Sequence, residues 1–436
     1  LIKPPNIPDF AKGKELNLEL RIANQETHFQ GLVVDSTFEH KNMKIIAIRL
    51  VKQVEETKGD EDRRSARRWL CGEHFYPTGV AANPLSYNDF IYFRIRDISA
   101  NGLQMITSLR NKFIVAGMKF ECVMDFPMIS QVQLKFVVKN VRIAKQNGQD
   151  FLAVGAALEG VTPYLKEVIG QYLIQFGNVE SLKELQNESL HPKSVAKAVT
   201  YRYVKTKEDY QKVLEFRHFT YSKAGKIPEQ SEATLMADES DARSRIVMGE
   251  YNGQIVCTSR LVFNNPEDQM EHDPYVKWPD HLPRKEEMVE INRTATHPDF
   301  RSSDLLMGMF RFIAIAVVQS KRKWIVLGST PELASLYKKM GFKYTNLNYT
   351  NTLLHELFHE IYLGNVPEGL SGKGVNPIYW NIIWSPVSDF LYQYDLIESD
   401  PLVRLRFGFY KLINPIASFY YDFQQRKRSG YRKRKG

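Results

Sequence analysis

Cysteine is scarce in this chain of 436 residues: three are present, Cys71, Cys122 and Cys257, widely spaced and without a CxxC pair. That excludes a disulfide framework and a zinc ribbon, and it fits a reducing compartment. Long hydrophobic runs are missing as well. The longest, Phe312 to Val318, falls far short of the roughly 18 residues that span a bilayer. Glycine (25) and proline (20) are too few for low complexity or a collagen repeat, and no internal repeat is visible. Acidic residues are absent from 426–436, RKRSGYRKRKG, which carries seven basic side chains. Of the net charge of +9, that tail accounts for all but two. The body is therefore not a nucleic-acid-binding surface by charge, and no nucleic acid polymer is expected as a partner. What remains is ordinary globular composition, 43% hydrophobic and 25% charged. It is long enough for about three domains at roughly 150 residues each.

The hydrophobic period changes along the chain. Alternating, β-branched stretches (LELRIA, FQGLVVDST, KIIAIRLVKQV) predict an N-terminal β module over 1–58. A charged stretch at 55–68 follows. Five strand-like segments between Phe90 and Gly160, separated by Gly, Asn or Pro turns, predict a small antiparallel barrel over 59–162. Apolar residues at helical spacing from Pro163 predict a connecting helix and linker over 163–199. From Tyr201, helices alternate with strands: helix 207–222, hairpin 244–263, strand 287–296, helix 302–321, strand 323–328, helix 331–340, strand 342–349. This is an α/β pattern over 200–360. A helical, aromatic-rich extension is expected over 361–425, ahead of the basic tail.

Two constellations carry chemistry. In the first, Arg63, Arg64, Arg67 and Arg68 form RxxxR in two registers, followed by Asp97-Ile-Ser99-Ala-Asn-Gly102. A guanidinium fork pairs with phosphate or with the guanine O6/N7 edge. The Asp carboxylate accepts from a guanine N–H edge, and glycine lets the backbone approach a ligand. Either half alone is equally a solvated linker or an ordinary turn. The paired order, RRSARR then RDISANGLQM, IVAGMKFECVM and FLAVGAALEG, resembles the PilZ domain. That resemblance implies cyclic di-GMP as a regulatory ligand, held by Arg64 and Arg68 with Asp97, Ser99 and Gly102. The Arg63 and Arg67 register stays open.

The second constellation suits acyl transfer to an amine. Glu290, on a predicted central strand, can accept the amine's proton. An irregular strand near Thr294–Thr296 can offer backbone N–H groups to the carbonyl oxygen as charge develops. The turn Arg301, Ser302, Ser303, Asp304 opens a helix whose free N–H groups suit a carrier phosphate. Tyr337 is a candidate acid for the leaving thiolate. Each residue also has an ordinary reading: a strand-edge charge for Glu290, its ion partner for Arg293, a packed helix position for Tyr337.

In sequence, FRSSDLL and LASLYKKMGF resemble the GNAT superfamily, although RSSDLL stands where a glycine-rich pyrophosphate loop is usual. FRHFTYSKAG, MADESDARSRIVMGEYNGQIVCTSRLV and EINRTATHPDFR resemble N-acyl amino acid synthases and acyl-homoserine-lactone synthases. The resemblance implies a long-chain acyl donor on acyl carrier protein (acyl-ACP) or on CoA, an amino acid or similar small amine as acceptor, and no metal. It maps an ExxR to Glu290 and Arg293, and acceptor-side residues to Asp238, Asp241 and Arg260. The expected molecule is a multidomain bacterial synthase, a PilZ-like β-barrel joined to a GNAT-like α/β acyltransferase with a helical extension. Two alternatives remain open: a small-acyl CoA-dependent N-acetyltransferase, and a cyclic di-GMP receptor whose acyltransferase fold is inactive.

His355-Glu-Leu-Phe-His359 matches HExxH on an expected helix, but no third ligand stands at a convincing spacing. The segment is read as part of that helix. The stretch 402–423 is apolar and aromatic with basic residues interspersed, and the basic tail follows it. Two readings stand beside each other: peripheral contact with the inner face of the membrane, and a docking helix with a free tail. A cytoplasmic location is expected. The chain begins at Leu1 rather than Met, so an upstream segment is allowed for.

Overall fold

Strand alternation in the first half and mixed periods in the second produce two compact units. These are Leu1–Glu180 with Glu184–Pro192, and Ser181–Lys183 with Lys193–Gly436. The structure is a computed structural model. It describes residues 13–22, 25–40, 43–53, 67–146, 148–227, 231–301, 303–351, 357–393, 400–413 and 415.

In the first unit, β1 (Glu15–Ile22), β2 (Gln25–His40) and β3 (Met43–Gln53) form an antiparallel three-stranded sheet. The barrel uses β4 (Arg68–Leu70), β5 (Thr78–Ala82), β6 (Phe90–Ser99), β7 (Gly102–Thr107), β8 (Lys119–Phe126), β9 (Ser130–Gln146) and β10 (Gln149–Glu159). Six strands close in the order β6-β5-β8-β9-β10-β7 and back to β6, with short β4 added on β6. Closure leaves no edge among the six. Alternate residues of β6 and β8 face inward. Phe93, Phe120 and Phe136 meet in that core, with ring centroids 5.5–6.3 Å apart. Helix α1 (Pro163–Phe176) starts where Thr162 accepts from the Leu165 N–H (3.1 Å) and proline fills the first turn. A short α2 (Leu182–Asn187) follows.

The second unit is built on a seven-stranded sheet. Its members are β11 (Thr200–Tyr203), β12 (Ser244–Tyr251), β13 (Gln254–Val262), β14 (Met288–Thr296), β15 (Trp324–Ser329), β16 (Lys343–Asn351) and β17 (Leu357–Asn365). The spatial order is β11-β12-β13-β14-β15-β17-β16. Every pairing is antiparallel except β14 with β15. A parallel pair needs a crossover, and helix α4 (Leu305–Gln319) supplies it. That helix is apolar on most of its circumference, as expected of an element buried between layers. Helices α3 (Lys207–Lys223) and α5 (Ala334–Lys339) complete the core.

The helical expectation beyond 351 is corrected at 357–365, which is strand β17, paired with β15 and β16. Helices resume with α6 (Val366–Ser371), α7 (Pro377–Tyr379), a π turn at Trp380–Trp384, α8 (Ser385–Gln393), and a helix at 401–413. Among the described residues no helix is long and apolar enough to cross a membrane.

Candidate active site and nucleotide-binding face

The parallel pair is the key to the second unit. Strands β14 and β15 pair only from Met288 with Trp324 to Ile291 with Leu327. Beyond that point the two strands no longer pair with each other, and a cavity of about 230 Å³ opens between them. On one wall stand Glu290 and the residues from Ile291 to Thr296, and on the other Gly328, Ser329 and Thr330. In sheets with parallel strands, crevices at the strands' carboxyl ends are where ligands bind.

A bulge shapes the first wall. Thr258 of β13 faces Ala295 and Arg260 faces Asn292, so Ser259 stands opposite both Arg293 and Thr294. Arg293 takes a left-handed φ of 51° there. In a regular strand, residues three apart point to opposite faces. The extra residue brings Glu290 and Arg293 to the same cavity. The irregularity expected near Thr294–Thr296 thus begins one residue earlier.

Glu290 is 3% exposed. Its carboxylate accepts from Asn264 Nδ2 (3.0 Å), the Glu271 N–H (2.9 Å) and Asn292 Nδ2 (3.3 Å). Burial is the main cause that pushes its pKa up to about 6, and the nearby Glu271 charge adds to it. The hydrogen bonds and Arg260 oppose the rise. The amide of Asn264 cannot turn freely, because its Oδ1 accepts from Arg243 Nε (3.3 Å).

Beneath Glu290 lies a buried ion network. Arg260, 1% exposed, donates to Asp238, to Asp241 (3.0 Å) and to Asn292 Oδ1 (2.6 Å). Arg293 donates to Asp238 (3.1 Å), and Tyr210 donates to Asp241 (2.7 Å). Arg217 approaches Asp241 at 3.5 Å and is fully buried, with its Nε and Nη2 lacking acceptors among the described residues. Burial lowers its pKa. Asp238 and Asp241 close a capping box on the short turn Glu239–Arg243. The residues expected on the acceptor side are thus brought together, with both carboxylates already engaged by arginines. Only Arg293, of the three arginines, lines the cavity, and its Nε has no acceptor among the described residues.

Tyr337 lines the same cavity from α5. It is packed among Phe310, Phe342 and Tyr362, with centroids 5.7–6.2 Å away. Burial pushes its hydroxyl up to about 12, so it stays protonated near neutrality.

The expected carrier-phosphate turn needs correction at two positions. Asp304 turns away to accept from Ser194 Oγ (2.6 Å) and from the Val195 and Ala196 N–H groups (2.8 and 3.0 Å). Ser303 Oγ donates to the Phe300 carbonyl (2.7 Å) and accepts from the Leu305 N–H (3.3 Å). Both side chains are thus used in anchoring and capping α4, and a carboxylate opposes phosphate. Arg301 is exposed, and Ser302 lies outside the described residues.

Four cavity residues carry no signal in the sequence, Lys226, Glu271, His272 and Tyr349, and a fifth, His359, stands out there only as part of HExxH. His359 stacks on Tyr349 (5.1 Å) from β17, so the helical face that HExxH requires is not formed. His355 and Glu356 lie outside the described residues. Burial lowers the pKa of His272 to about 4 and also lowers that of His359, so His272 is neutral in the cavity at pH 7.

In the first unit, strand register brings the first constellation together. Arg68 pairs across β4 and β6 with Ser99, and its guanidinium lies 3.4 Å from Asp97. Asp97 is 8% exposed, and burial raises its pKa against the pull of Arg68. Ser99 Oγ donates to the Gly102 carbonyl (3.2 Å). A side chain at Gly102 would press on the Ala156 carbonyl at 2.9 Å, so glycine is needed there. Arg67 instead pairs with Glu184 (3.2 Å). Arg63 and Arg64 lie outside the described residues.

Residues 212–349, which contain Glu290 and the arginines and aspartates of the buried network, match the family model of the N-acyl amino acid synthase FeeM. No curated protein matches the chain. Among solved structures, FeeM, an N-acyl amino acid synthase from uncultured soil microbes, is similar at 12% identity over 40% of this chain and 94% of that one (TM-score 0.32). An acyl-CoA N-acyltransferase from Pseudomonas aeruginosa is similar at 18% identity over 38% and 98% (TM-score 0.28). The PilZ domain of YcgR from Escherichia coli, solved with c-di-GMP, is similar at 14% identity over 24% and 83% (TM-score 0.22). With the family match on its cavity-bearing segment, the chain is an acyltransferase.

Proposed function

We propose that the chain transfers a long-chain acyl group from a thioester carrier, acyl-ACP or acyl-CoA, to the amine of an amino acid or similar small amine, and that its barrel binds cyclic di-GMP. The observation that carries the first part is Glu290, a buried carboxylate with its pKa raised to about 6, at the point where β14 and β15 part. Such a group is ionised at neutral pH yet basic enough to take a proton. In the reaction the amine nitrogen attacks the thioester carbonyl and forms the C–N bond. Glu290 accepts the proton that the nitrogen loses. Backbone N–H groups at the Arg293–Thr294 bulge face the oxygen as it becomes negative, and Arg293 Nε–H has no competing acceptor among the described residues. Collapse breaks the C–S bond, and Tyr337 gives its proton to the leaving thiolate. Asp238, Asp241 and Arg260 hold Arg293 and Asn292 in place rather than meeting the acceptor directly.

One observation favours a second reading, a small acyl group carried on CoA. The cavity, at about 230 Å³, is smaller than the roughly 300–1,000 Å³ of drug-sized ligand sites. Donor choice separates the two: long-chain acyl-ACP against acetyl-CoA.

The nucleotide half rests on Arg68, Asp97, Ser99 and Gly102 meeting on one face of the barrel. Mass spectrometry of lipid extracts from cells expressing the chain tests the enzyme half, against Glu290→Gln. A new series of acyl-amide ions, lost in the variant, is expected. An unchanged series in the variant removes Glu290 from the mechanism.

A further inference from the structure

The helix at 401–413 has two apolar faces, and among the described residues only one of them is covered. Its covered face is anchored firmly. Phe407 lies 4.6 Å from the Trp380 ring. Tyr410 donates to the Gly372 and Val375 carbonyls (3.1 and 3.3 Å). Arg406 donates to the Ser371 carbonyl (2.8 Å), and Lys411 pairs with Asp389 (3.0 Å). The other face carries Leu402, Leu405, Phe409 and Leu412, which are 68%, 72%, 56% and 77% exposed. Their 3-4-3 spacing at about 100° per residue confines all four to an arc of roughly 80°. A surface helix ordinarily turns its apolar stripe inward and its charges outward. Here a second stripe faces out, on a helix already docked through another.

The sequence that follows says what covers it. Residues 426–436 hold seven basic and no acidic side chains. We propose that this face is a membrane-docking surface. The four apolar side chains enter the boundary between head groups and acyl chains, and the tail's lysines and arginines meet anionic head groups. A second copy of this chain is a poorer occupant. Four side chains on one short helix do not approach the roughly 800 Å² per partner of a stable interface, and pairing through this face would bring two polybasic tails together. The proposal does not depend on the acyl length or on the acceptor, so it can fail without the enzymatic reading failing.

The test is co-sedimentation of the full chain with vesicles of phosphatidylcholine alone or mixed with phosphatidylglycerol, at low and high salt. The chain should partition onto the anionic vesicles, with salt weakening the binding. Leu405→Asp with Leu412→Asp should lower the partition by about tenfold or more and leave the melting temperature unchanged, since both positions are exposed. The gentler pair Leu405→Gln with Leu412→Gln keeps the question open to refutation should the aspartates disturb folding. Lys427→Gln with Arg428→Gln should remove part of the salt-sensitive share only. The proposal is overturned if the parent chain stays in the supernatant, or if the stripe variants bind vesicles as well as the parent. It is likewise overturned if, without vesicles, the parent chain self-associates or captures an acyl carrier protein through this stripe and the variants do not.

Discussion

Burial raises the pKa of Glu290, and Asn264 is the side chain whose hydrogen bond most opposes that rise. It donates to the buried carboxylate at 3.0 Å, while Arg243 holds its carbonyl oxygen from behind. Turnover requires Glu290 ionised, so kcat/KM should rise with pH through about 6 and level off above it. A hydrogen bond to a charged group contributes about 1.5–3 kcal/mol, and one pKa unit corresponds to about 1.4 kcal/mol. Removing a donor to the charged form disfavours ionisation, so Asn264→Ala should move the acid limb upward by about one pH unit. A pH–rate profile of the variant checks this, and a limb that stays in place would remove Asn264 from the tuning of Glu290. Glu290 and Arg293 were legible in the sequence through the resemblance that maps an ExxR onto them, whereas the bulge that turns both to one cavity was not. Asn264 and Glu271 were not, because they reach the carboxylate from connections 26 and 19 residues away. Asp304 was misread for a related reason. Near a helix start a carboxylate either faces a ligand or takes distant N–H groups, and the choice was made by Ser194, Val195 and Ala196.

Helix α4 shows how one small residue sets the spacing of an element. A Cβ at Gly308 would overlap the Tyr201 hydroxyl and stand 2.7 Å from Ala196 Cβ. That hydroxyl is itself tied to the Leu305 carbonyl (3.1 Å). Overpacking of this kind costs about 1–3 kcal/mol, so Gly308→Ala should lower stability by that amount in chemical denaturation. Adding Tyr201→Phe, which removes the overlapping oxygen, should restore part of the loss. Equal stability of Gly308→Ala and the parent would show that the helix shifts at no cost. Most elements were readable from period alone: the barrel strands, the 244–263 hairpin, α3, α4 and β15 stand close to where apolar spacing puts them. Strand β17 was not. Leu357, Phe358, Ile361 and Tyr362 fit a helical stripe as well as a strand. What makes 357–365 a strand is pairing on both sides, with β15 and β16, and such partners are invisible in a local window.

At the scale of the molecule, two compact units divide between them a cavity with a tuned carboxylate and a barrel face with an arginine–carboxylate pair. The order of motifs along the chain made both legible; how one would inform the other was not, because coupling is a difference in affinity between states rather than a pattern of residues. If cyclic di-GMP regulates acyl transfer, linkage requires reciprocity: whatever factor the nucleotide imposes on donor affinity, the donor imposes on nucleotide affinity. Titration calorimetry of cyclic di-GMP with and without a non-reactive acyl-thioester analogue reads that factor, expected at about 5–150-fold. Arg68→Ala should abolish nucleotide binding by removing the guanidinium beside Asp97. Ser99→Ala, whose only side-chain bond among the described residues is to the Gly102 carbonyl, should weaken it without unpairing the buried Asp97. Retained micromolar binding in Arg68→Ala would sink the clamp. Tight binding in the parent chain with identical affinities with and without the analogue would leave the barrel a receptor and deny it any thermodynamic hold on donor binding.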